Sequence, residues 1–232
     1  MRADHYDGFA ESYTRENDTG LFNEYYARPA VLDLLGEVVG REVLDAGCGA
    51  GPLMAALQDR GALVTGFDAS PAMLAVAERR LGPDANLLVA DLSQPLPFET
   101  GAFDDVVSSL VLHYLQDWSG PLAELRRVLR PGGRLVVVVN HPVIRPVVYP
   151  DDDYFAITPY TEDYTFDGQT AYLTFWHRPL HAMTDSFTRA GFRISVISEP
   201  PFVPDTPRDV LPPDIGDRTA FLCFLFFVLE AV

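Results

Sequence analysis

The sequence is poor in cysteine, in basic residues and in long apolar runs. Cys48 and Cys223 are its only cysteines among 232 residues, so neither a disulfide framework nor a cysteine-rich metal site is indicated. The longest apolar run, residues 220–229, is half of the roughly 20 residues that a membrane-spanning helix needs. The N-terminal residues contain no apolar segment of a secretory signal, and we therefore expect a cytoplasmic protein with no membrane partner.

The deficit of basic residues makes the chain strongly acidic. Seventeen Lys and Arg stand against 33 Asp and Glu, which gives a net charge of −16. Such a surface repels phosphate backbones, so we expect a small-molecule partner and no nucleic acid. Neither an HExxH motif nor a Cys/His cluster at ligand spacing is present, so no metal site is predicted. The length suits one domain, and the sequence leaves the choice between a monomer and a homodimer open.

Short β-prone segments alternate with stretches of helical periodicity. Ser70-Pro71, an N-cap residue followed by a proline, predicts the start of a helix over residues 71–81. Alternation at this interval predicts βαβ units and a mainly parallel sheet. A helix over 180–190 and two later strands, 192–197 and 220–229, complete the pattern. The first five predicted strands are 42–46, 62–67, 86–90, 103–109 and 134–140.

Residues 141–180 interrupt this alternation and are rich in proline and aromatic residues. Within them, Asp167-Gly168 separates two β-prone runs, an arrangement that predicts a hairpin with a type I′ turn. An apolar surface of this size usually marks a site. We predict that residues 141–180 are a lid over one end of the sheet. The alternative is that these aromatics only pack the hairpin onto the sheet.

The strongest motif is the glycine-rich turn after the first strand, Asp45-Ala46-Gly47-Cys48-Gly49-Ala50-Gly51. Glycines let a backbone adopt positive φ and pass close beneath a ligand. A dinucleotide-binding fingerprint would read GxGxxG. Here the third glycine comes one residue early and Pro52 stands in the expected glycine position. The turn therefore predicts a ligand site, with a pyrophosphate ligand less favoured.

The order of the motifs resembles that of the class I S-adenosylmethionine-dependent methyltransferases. The resemblance is to the methyltransferase type 11 group of small-molecule enzymes, which includes the quinone-biosynthesis C-methyltransferases. It covers residues 5–140 strongly. It implies an α/β fold with a Rossmann-like, seven-stranded, mostly parallel sheet, helices on both faces, an antiparallel last strand and a lid insertion after strand five, in one domain over 1–232. The matching segments are 45–51 (DAGCGAG), 66–70 (GFDAS), 90–92 (ADL), 103–110 and 129–133 (LRPGG).

The resemblance implies S-adenosyl-L-methionine as the cofactor. Asp68 would hold the ribose hydroxyls, which suits an acid about 20 residues past a glycine loop, although a helix N-terminal acid is the alternative. Asp91 would face the adenine amino group, or it is only a turn residue. Residues 1–35 would form a helical cover over the cofactor, or an amphipathic segment packed on the core. The predicted cofactor-binding residues are Tyr13, Asp45, Gly47, Cys48, Gly49, Gly51, Asp68, Ala69, Met73, Asp91, Leu92 and Leu110.

Two histidines at strand ends are the predicted catalytic residues, with a structural role as the alternative for each. His113 follows strand four and His141 follows strand five, at the edge where open α/β sheets bind ligands. The predicted function is transfer of a methyl group to an O, N or C atom of a small, aromatic or lipophilic molecule. A cyclase or isomerase that retains the cofactor, and a non-catalytic cofactor-binding protein, remain as alternatives. The predicted substrate-binding residues are Tyr164, Trp176, His177 and Arg178.

Overall fold

The computed structural model describes residues 4–232, with side chains from residue 6 onward, so the first three residues of the predicted 1–35 cover lie outside the described part. The strands of the described chain are β1 Glu42–Ala46, β2 Leu63–Asp68, β3 Asn86–Val89, β4 Phe103–Ser109, β5 Leu129–Asn140, β6 Thr158–Phe166, β7 Gln169–His177, β8 Phe192–Ser198 and β9 Phe224–Ala231. The helices are α1 Asp4–Asp7, α2 Ala10–Thr19, α3 Arg28–Leu35, α4 Pro52–Asp59, α5 Pro71–Leu81, α6 Ser119–Val128, α7 Ile144–Val148 and α8 Leu180–Arg189. A π-helical turn, Asn23–Ala27, precedes α3, and a 3₁₀ turn, Leu112–Tyr114, follows β4.

Seven of these strands form one sheet in the order β3-β2-β1-β4-β5-β9-β8. β1 pairs in parallel with both β2 and β4, whereas β9 is antiparallel to both β5 and β8. The predicted fold class, a mostly parallel sheet with an antiparallel last strand, is confirmed. Strands β2 and β3 lie on one side of β1, and strands β4 and β5 lie on the other. Open α/β sheets bind ligands at the point where the strand order reverses in this way.

Strand β5 shows why the sheet is covered on both faces. Leu135, Val137 and Val139 belong to the apolar core on one side, with α6 and α8. Val136 and Val138 belong to the core on the other side, with α3 and α4. Because side chains alternate along a strand, an unbroken run of apolar residues requires a partner layer on each face.

Most element boundaries lie within one residue of the prediction, and the two largest differences are at β5 and β9. Helix α5 has the predicted bounds, and the Ser70 Oγ accepts the predicted capping hydrogen bond, from the Met73 N–H at 3.2 Å. β5 begins at Leu129 and not at residue 134, because Leu129 pairs with Phe103 across an irregularity in the ladder. β9 runs over Phe224–Ala231 and not 220–229, since its register against β5 pairs Phe224 with Asn140.

The predicted hairpin within residues 141–180 is confirmed. β6 and β7 pair antiparallel in a separate two-stranded sheet that turns at Asp167 and Gly168. Both turn residues have positive φ, 50° and 76°, as a type I′ turn requires.

Candidate active site

A cavity lies at the carboxyl ends of β1, β2 and β4, and we name it the glycine-loop cavity after the Gly47–Gly51 turn in its wall. It holds about 900 Å³ of empty space including its open mouth. Gly51, Ala69, Asp91 and Leu92, also predicted to bind the cofactor, are not in its lining. Eight predicted cofactor residues line it: Tyr13, Asp45, Gly47, Cys48, Gly49, Asp68, Met73 and Leu110.

The conformation of the turn requires its glycines. Gly47, Gly49 and Gly51 all have positive φ, at 85°, 55° and 75°. A Cβ on Gly47 would stand 2.4 Å from the Val111 Cγ2 atom, so the loop fits tightly beneath the segment after β4. A Cβ on Gly51 would stand 2.9 Å from Leu81 in α5. Gly51 therefore permits close packing of the turn on a helix, which explains why it does not line the cavity.

Asp68, at the end of β2, holds the turn in place. Its Oδ2 accepts from the Gly49 N–H at 2.9 Å and its Oδ1 from the Ser70 N–H at 2.9 Å. Burial raises the pKa of this carboxyl, and the hydrogen bonds from Ser70 and Gly49 oppose that shift. Each carboxylate oxygen retains a further acceptor position, and the side chain lines the cavity. Asp68 can therefore accept ligand hydroxyls while it positions the loop.

Asp45 carries a polar atom that needs a donor. Its Oδ2 is buried and has no hydrogen-bond partner among the described residues. Burial, followed by the charge of Asp68, raises the pKa of Asp45 to about 7. A buried acceptor without a partner is costly, and a ligand with N–H or O–H donors would satisfy it. The ammonium group and ribose hydroxyls of S-adenosylmethionine are such donors, so the residues present fit this cofactor.

Helix α2, which lines the glycine-loop cavity, contacts the tip of the hairpin. Phe9 stacks on Phe166 with ring centroids 5.4 Å apart, and Tyr13 meets Phe166 edge-on at 5.3 Å. Arg15 of α2 pairs with Asp167 in the hairpin turn. Helix α2 is also joined to α5, because Arg79 and Arg80 of α5 pair with Glu11 and Asp18 of α2. Helix α2, which lines the cavity, is thus in contact with both the hairpin and α5.

A second cavity, the hairpin cavity, lies between the ends of β4 and β5, helix α7 and strand β7. It holds about 440 Å³ of empty space including its opening. Tyr164, predicted to bind substrate, is not in its lining; its hydroxyl donates to Glu162 at 2.8 Å. Five of the predicted catalytic and substrate residues do line it: His113, His141, Trp176, His177 and Arg178.

Hydrogen bonds limit what His113 can do. Its Nδ1 accepts from the Asn140 N–H at 3.2 Å, which places the hydrogen of the neutral ring on Nε2. Burial lowers the pKa of His113 to about 3, and a backbone interaction with Leu110 opposes the shift. The His113 ring lies between the backbone that follows β4 and the backbone at the end of β5. The Nδ1 lone pair already accepts the Asn140 N–H, so the neutral ring cannot take a proton from a substrate in this arrangement. Its catalytic assignment stays a prediction.

His141 is engaged at both ring nitrogens. Nδ1 accepts from the Val143 N–H at 3.2 Å, and Nε2 lies 2.9 Å from the Glu199 Oε1. Burial lowers the pKa of His141, and the charge of Glu199 opposes this. The geometry therefore disfavours proton abstraction by His141 as well, and its catalytic role also stays a prediction.

His177 has the free lone pair that the other two histidines lack. Its Nε2 lies 2.8 Å from the Tyr154 carbonyl oxygen. A carbonyl oxygen only accepts, so Nε2 carries the hydrogen and Nδ1 of the neutral ring keeps its lone pair. The ring is buried and lines the hairpin cavity.

Some lining residues were not among the sequence predictions. Asn17 of α2, Asn23 of the turn before α3 and Arg28 at the start of α3 line the glycine-loop cavity. Arg145 and Tyr160 line the hairpin cavity from α7 and β6. These residues belong to none of the motifs described above, because their position at the cavities depends on how the N-terminal helices and the insertion pack on the sheet.

Comparison with known proteins gives a consistent result. A profile of a family described as "Methyltransferase domain" matches residues 44–137. The demethylmenaquinone methyltransferase of Tropheryma whipplei is 37% identical over 135 residues, which cover 57% of this chain and 56% of the relative. The match thus spans little more than half the length of that relative. Solved structures of S-adenosylmethionine-dependent methyltransferases from Listeria monocytogenes and Mesorhizobium loti superpose with TM-scores of 0.73 and 0.64. They are 23% and 26% identical, over 89% and 87% of this chain and 96% of each of theirs.

No helix within residues 4–232 is long and apolar enough to cross a membrane. The resemblance predicted from the sequence motifs is confirmed by the profile and by the structural matches. The described chain has the class I methyltransferase fold, and its residues 44–137 match the profile of a methyltransferase domain.

Proposed function

We propose that the protein transfers a methyl group from S-adenosyl-L-methionine to an O, N or C atom of a small molecule with an aromatic or lipophilic part. One observation carries the proposal: two cavities adjoin after the end of β4. His113 lines the hairpin cavity and its neighbour Tyr114 lines the glycine-loop cavity. Phe175 packs against both rings, at 5.2 Å and 5.0 Å. This arrangement suits one site for the cofactor and one for an acceptor.

The glycine-loop cavity is the proposed cofactor site. When bound there, the cofactor supplies an electrophilic methyl group on a sulfonium. Asp68 would accept the ribose hydroxyls, and Asp45 would receive a donor for its unpartnered oxygen. Tyr13 would close the site from above. Asp91, whose carboxylate accepts from the Ser93 N–H and Oγ at 2.9 and 2.8 Å, remains the proposed adenine contact at the end of β3.

The hairpin cavity is the proposed acceptor site. Trp176 and Tyr160 give it aromatic walls, and residues 141–180 would act as the lid. For a hydroxyl acceptor, the His177 Nδ1 would take the hydroxyl proton. The protein otherwise orients the acceptor and excludes water. A carbon or unprotonated amine acceptor needs no such base.

The arrangement of the whole chain supports one domain over residues 1–232, with residues 1–35 as a cover on the cofactor side. The pairing of Arg15 with Asp167 joins this cover to the lid. The net charge of −16 supports a small-molecule acceptor over nucleic acid.

Two measurements test the proposal. Calorimetry should show binding of S-adenosylmethionine and S-adenosylhomocysteine to the purified protein. A panel of aromatic acceptors, followed by mass spectrometry, should then yield a product that is one methyl group heavier together with S-adenosylhomocysteine. A rearranged product of unchanged mass, formed with the cofactor intact, would instead support a cyclase or isomerase. Cofactor binding without turnover on any acceptor would support a non-catalytic protein.

A further inference from the structure

The hairpin cavity contains a buried arginine whose charge is not paired. Arg178 follows β7, is 5% exposed and lines the cavity. Its Nη2 donates to the Gln116 carbonyl oxygen at 2.5 Å, and its guanidinium carbon lies 4.5 Å from the centre of the Trp118 ring. Its Nε is buried and makes no hydrogen bond within the described chain. Among residues 6–232, no side-chain carboxylate lies within 4.0 Å of its nitrogens.

An unpaired cation in this position requires an explanation. Burial disfavours the charged form and lowers the pKa of Arg178, and the charge of Asp117 opposes this shift without a direct contact. Buried charges are normally paired, because desolvation is costly. The free Nε–H and the planar guanidinium match the two oxygens of a carboxylate.

The other charged side chains of the cavity already have partners. The Arg145 Nη2 lies 2.6 Å from the Asp152 Oδ2, and the Arg145 guanidinium stacks on Tyr149. The Glu162 carboxylate accepts from the Tyr164 hydroxyl. His141 contacts Glu199, so Arg178 is the arginine of this lining without a counter-ion among the described residues.

We propose that the acceptor is an aromatic carboxylate, and that Arg178 binds its carboxylate group in the hairpin cavity. The aromatic part would lie against Trp118, Trp176 and Tyr160, which line the same space. That the bound carboxylate is a methyl acceptor rests on the proposed function, whereas the binding of a carboxylate at Arg178 is testable without turnover.

The wild-type protein provides the first test. Trp118 and Trp176 are the only tryptophans of the chain and both line this cavity, so indole fluorescence reports directly on its occupancy. The probes are benzoate and its neutral analogue benzamide, titrated with S-adenosylhomocysteine at saturation. A charge-assisted hydrogen-bonded pair predicts about 10- to 100-fold tighter binding of benzoate. Equal affinities would overturn the proposal, and tighter binding of phenylphosphonate than of benzoate would overturn the carboxylate class.

Variants then assign the effect to Arg178. Arg178→Gln should abolish the preference for benzoate, and Arg178→Lys should retain part of it. Arg189→Gln, which removes the same charge from an exposed position on α8, should leave the preference unchanged. If Arg178→Gln does not fold, Arg178→Lys and the wild-type comparison decide the matter. Calorimetry with S-adenosylhomocysteine is run in parallel: failure there refutes the proposed function, whereas cofactor binding with no benzoate preference refutes only this inference.

Discussion

Phe9, before helix α2, and Phe166, at the end of β6, stack face to face, with ring centroids 5.4 Å apart and planes 11° apart. One belongs to the N-terminal cover and the other to the hairpin. Phe166 also contacts Tyr13, which lines the glycine-loop cavity. The contact therefore couples the hairpin to the N-terminal cover, which lines the proposed cofactor site through Tyr13.

Replacing Phe166 with alanine should loosen this cover. The side chain is buried, and truncation of a buried phenylalanine typically costs about 3–5 kcal/mol; here we expect the lower part of that range, because the site is at the edge of the fold. Stopped-flow displacement should show faster dissociation of S-adenosylhomocysteine. Phe155→Ala, at a position 70% exposed, is the matched control and should leave the rate unchanged. An unchanged dissociation rate in a folded Phe166→Ala protein would contradict the coupling.

Asp45 should make the stability of the cofactor-free protein depend on pH. Its pKa is about 7 in the folded state against an ordinary 3.8, so the folded state binds the proton more tightly than the unfolded state. Stability from this group is therefore full below the ordinary pKa and falls as the pH rises towards the folded value, by about 1.4 kcal/mol for each pKa unit. Asp45→Asn should remove this fall, and urea unfolding across the pH range measures it. Parallel curves for the two proteins would argue that the Asp45 carboxyl ionises normally.

Replacing Asp68 with alanine should weaken cofactor binding by about 1.5–3 kcal/mol, because charge-assisted hydrogen bonds are lost. The structure adds a second cause, since the Gly49 N–H also loses its acceptor. Calorimetry with S-adenosylhomocysteine is the measurement. Asp59→Ala, at an exposed position on α4, removes the same charge and should have little effect. Unchanged affinity in Asp68→Ala would remove this residue from the cofactor site.

Replacing His177 with glutamine should lower kcat for a hydroxyl acceptor by about 10²–10⁴-fold, the usual contribution of a general base. Cofactor affinity should stay the same. His181→Gln, at an exposed position on α8, serves as the control. If His177→Gln lowered the melting temperature and left kcat unchanged, His177 would have a structural role.

The sequence by itself determined the features that depend on neighbouring residues. The alternation of strands and helices, the cap at Ser70, the positive-φ glycines of the turn and the Asp167-Gly168 hairpin all follow from local conformational preferences. The motif order also indicated the class of fold, through its resemblance to a known family.

Only the tertiary structure decided which side chains face each cavity and in what chemical state. Gly51 packs on Leu81 in α5 and does not line a cavity, a contact that spacing within the turn cannot reveal. The same holds for the histidines: the Asn140 N–H occupies the lone pair of His113, whereas the Tyr154 carbonyl leaves that of His177 Nδ1 free. Each of these partners comes from a distant part of the chain. Hydrogen bonding and burial depend on such long-range packing, so the sequence could name the residues but the fold determined what each can do.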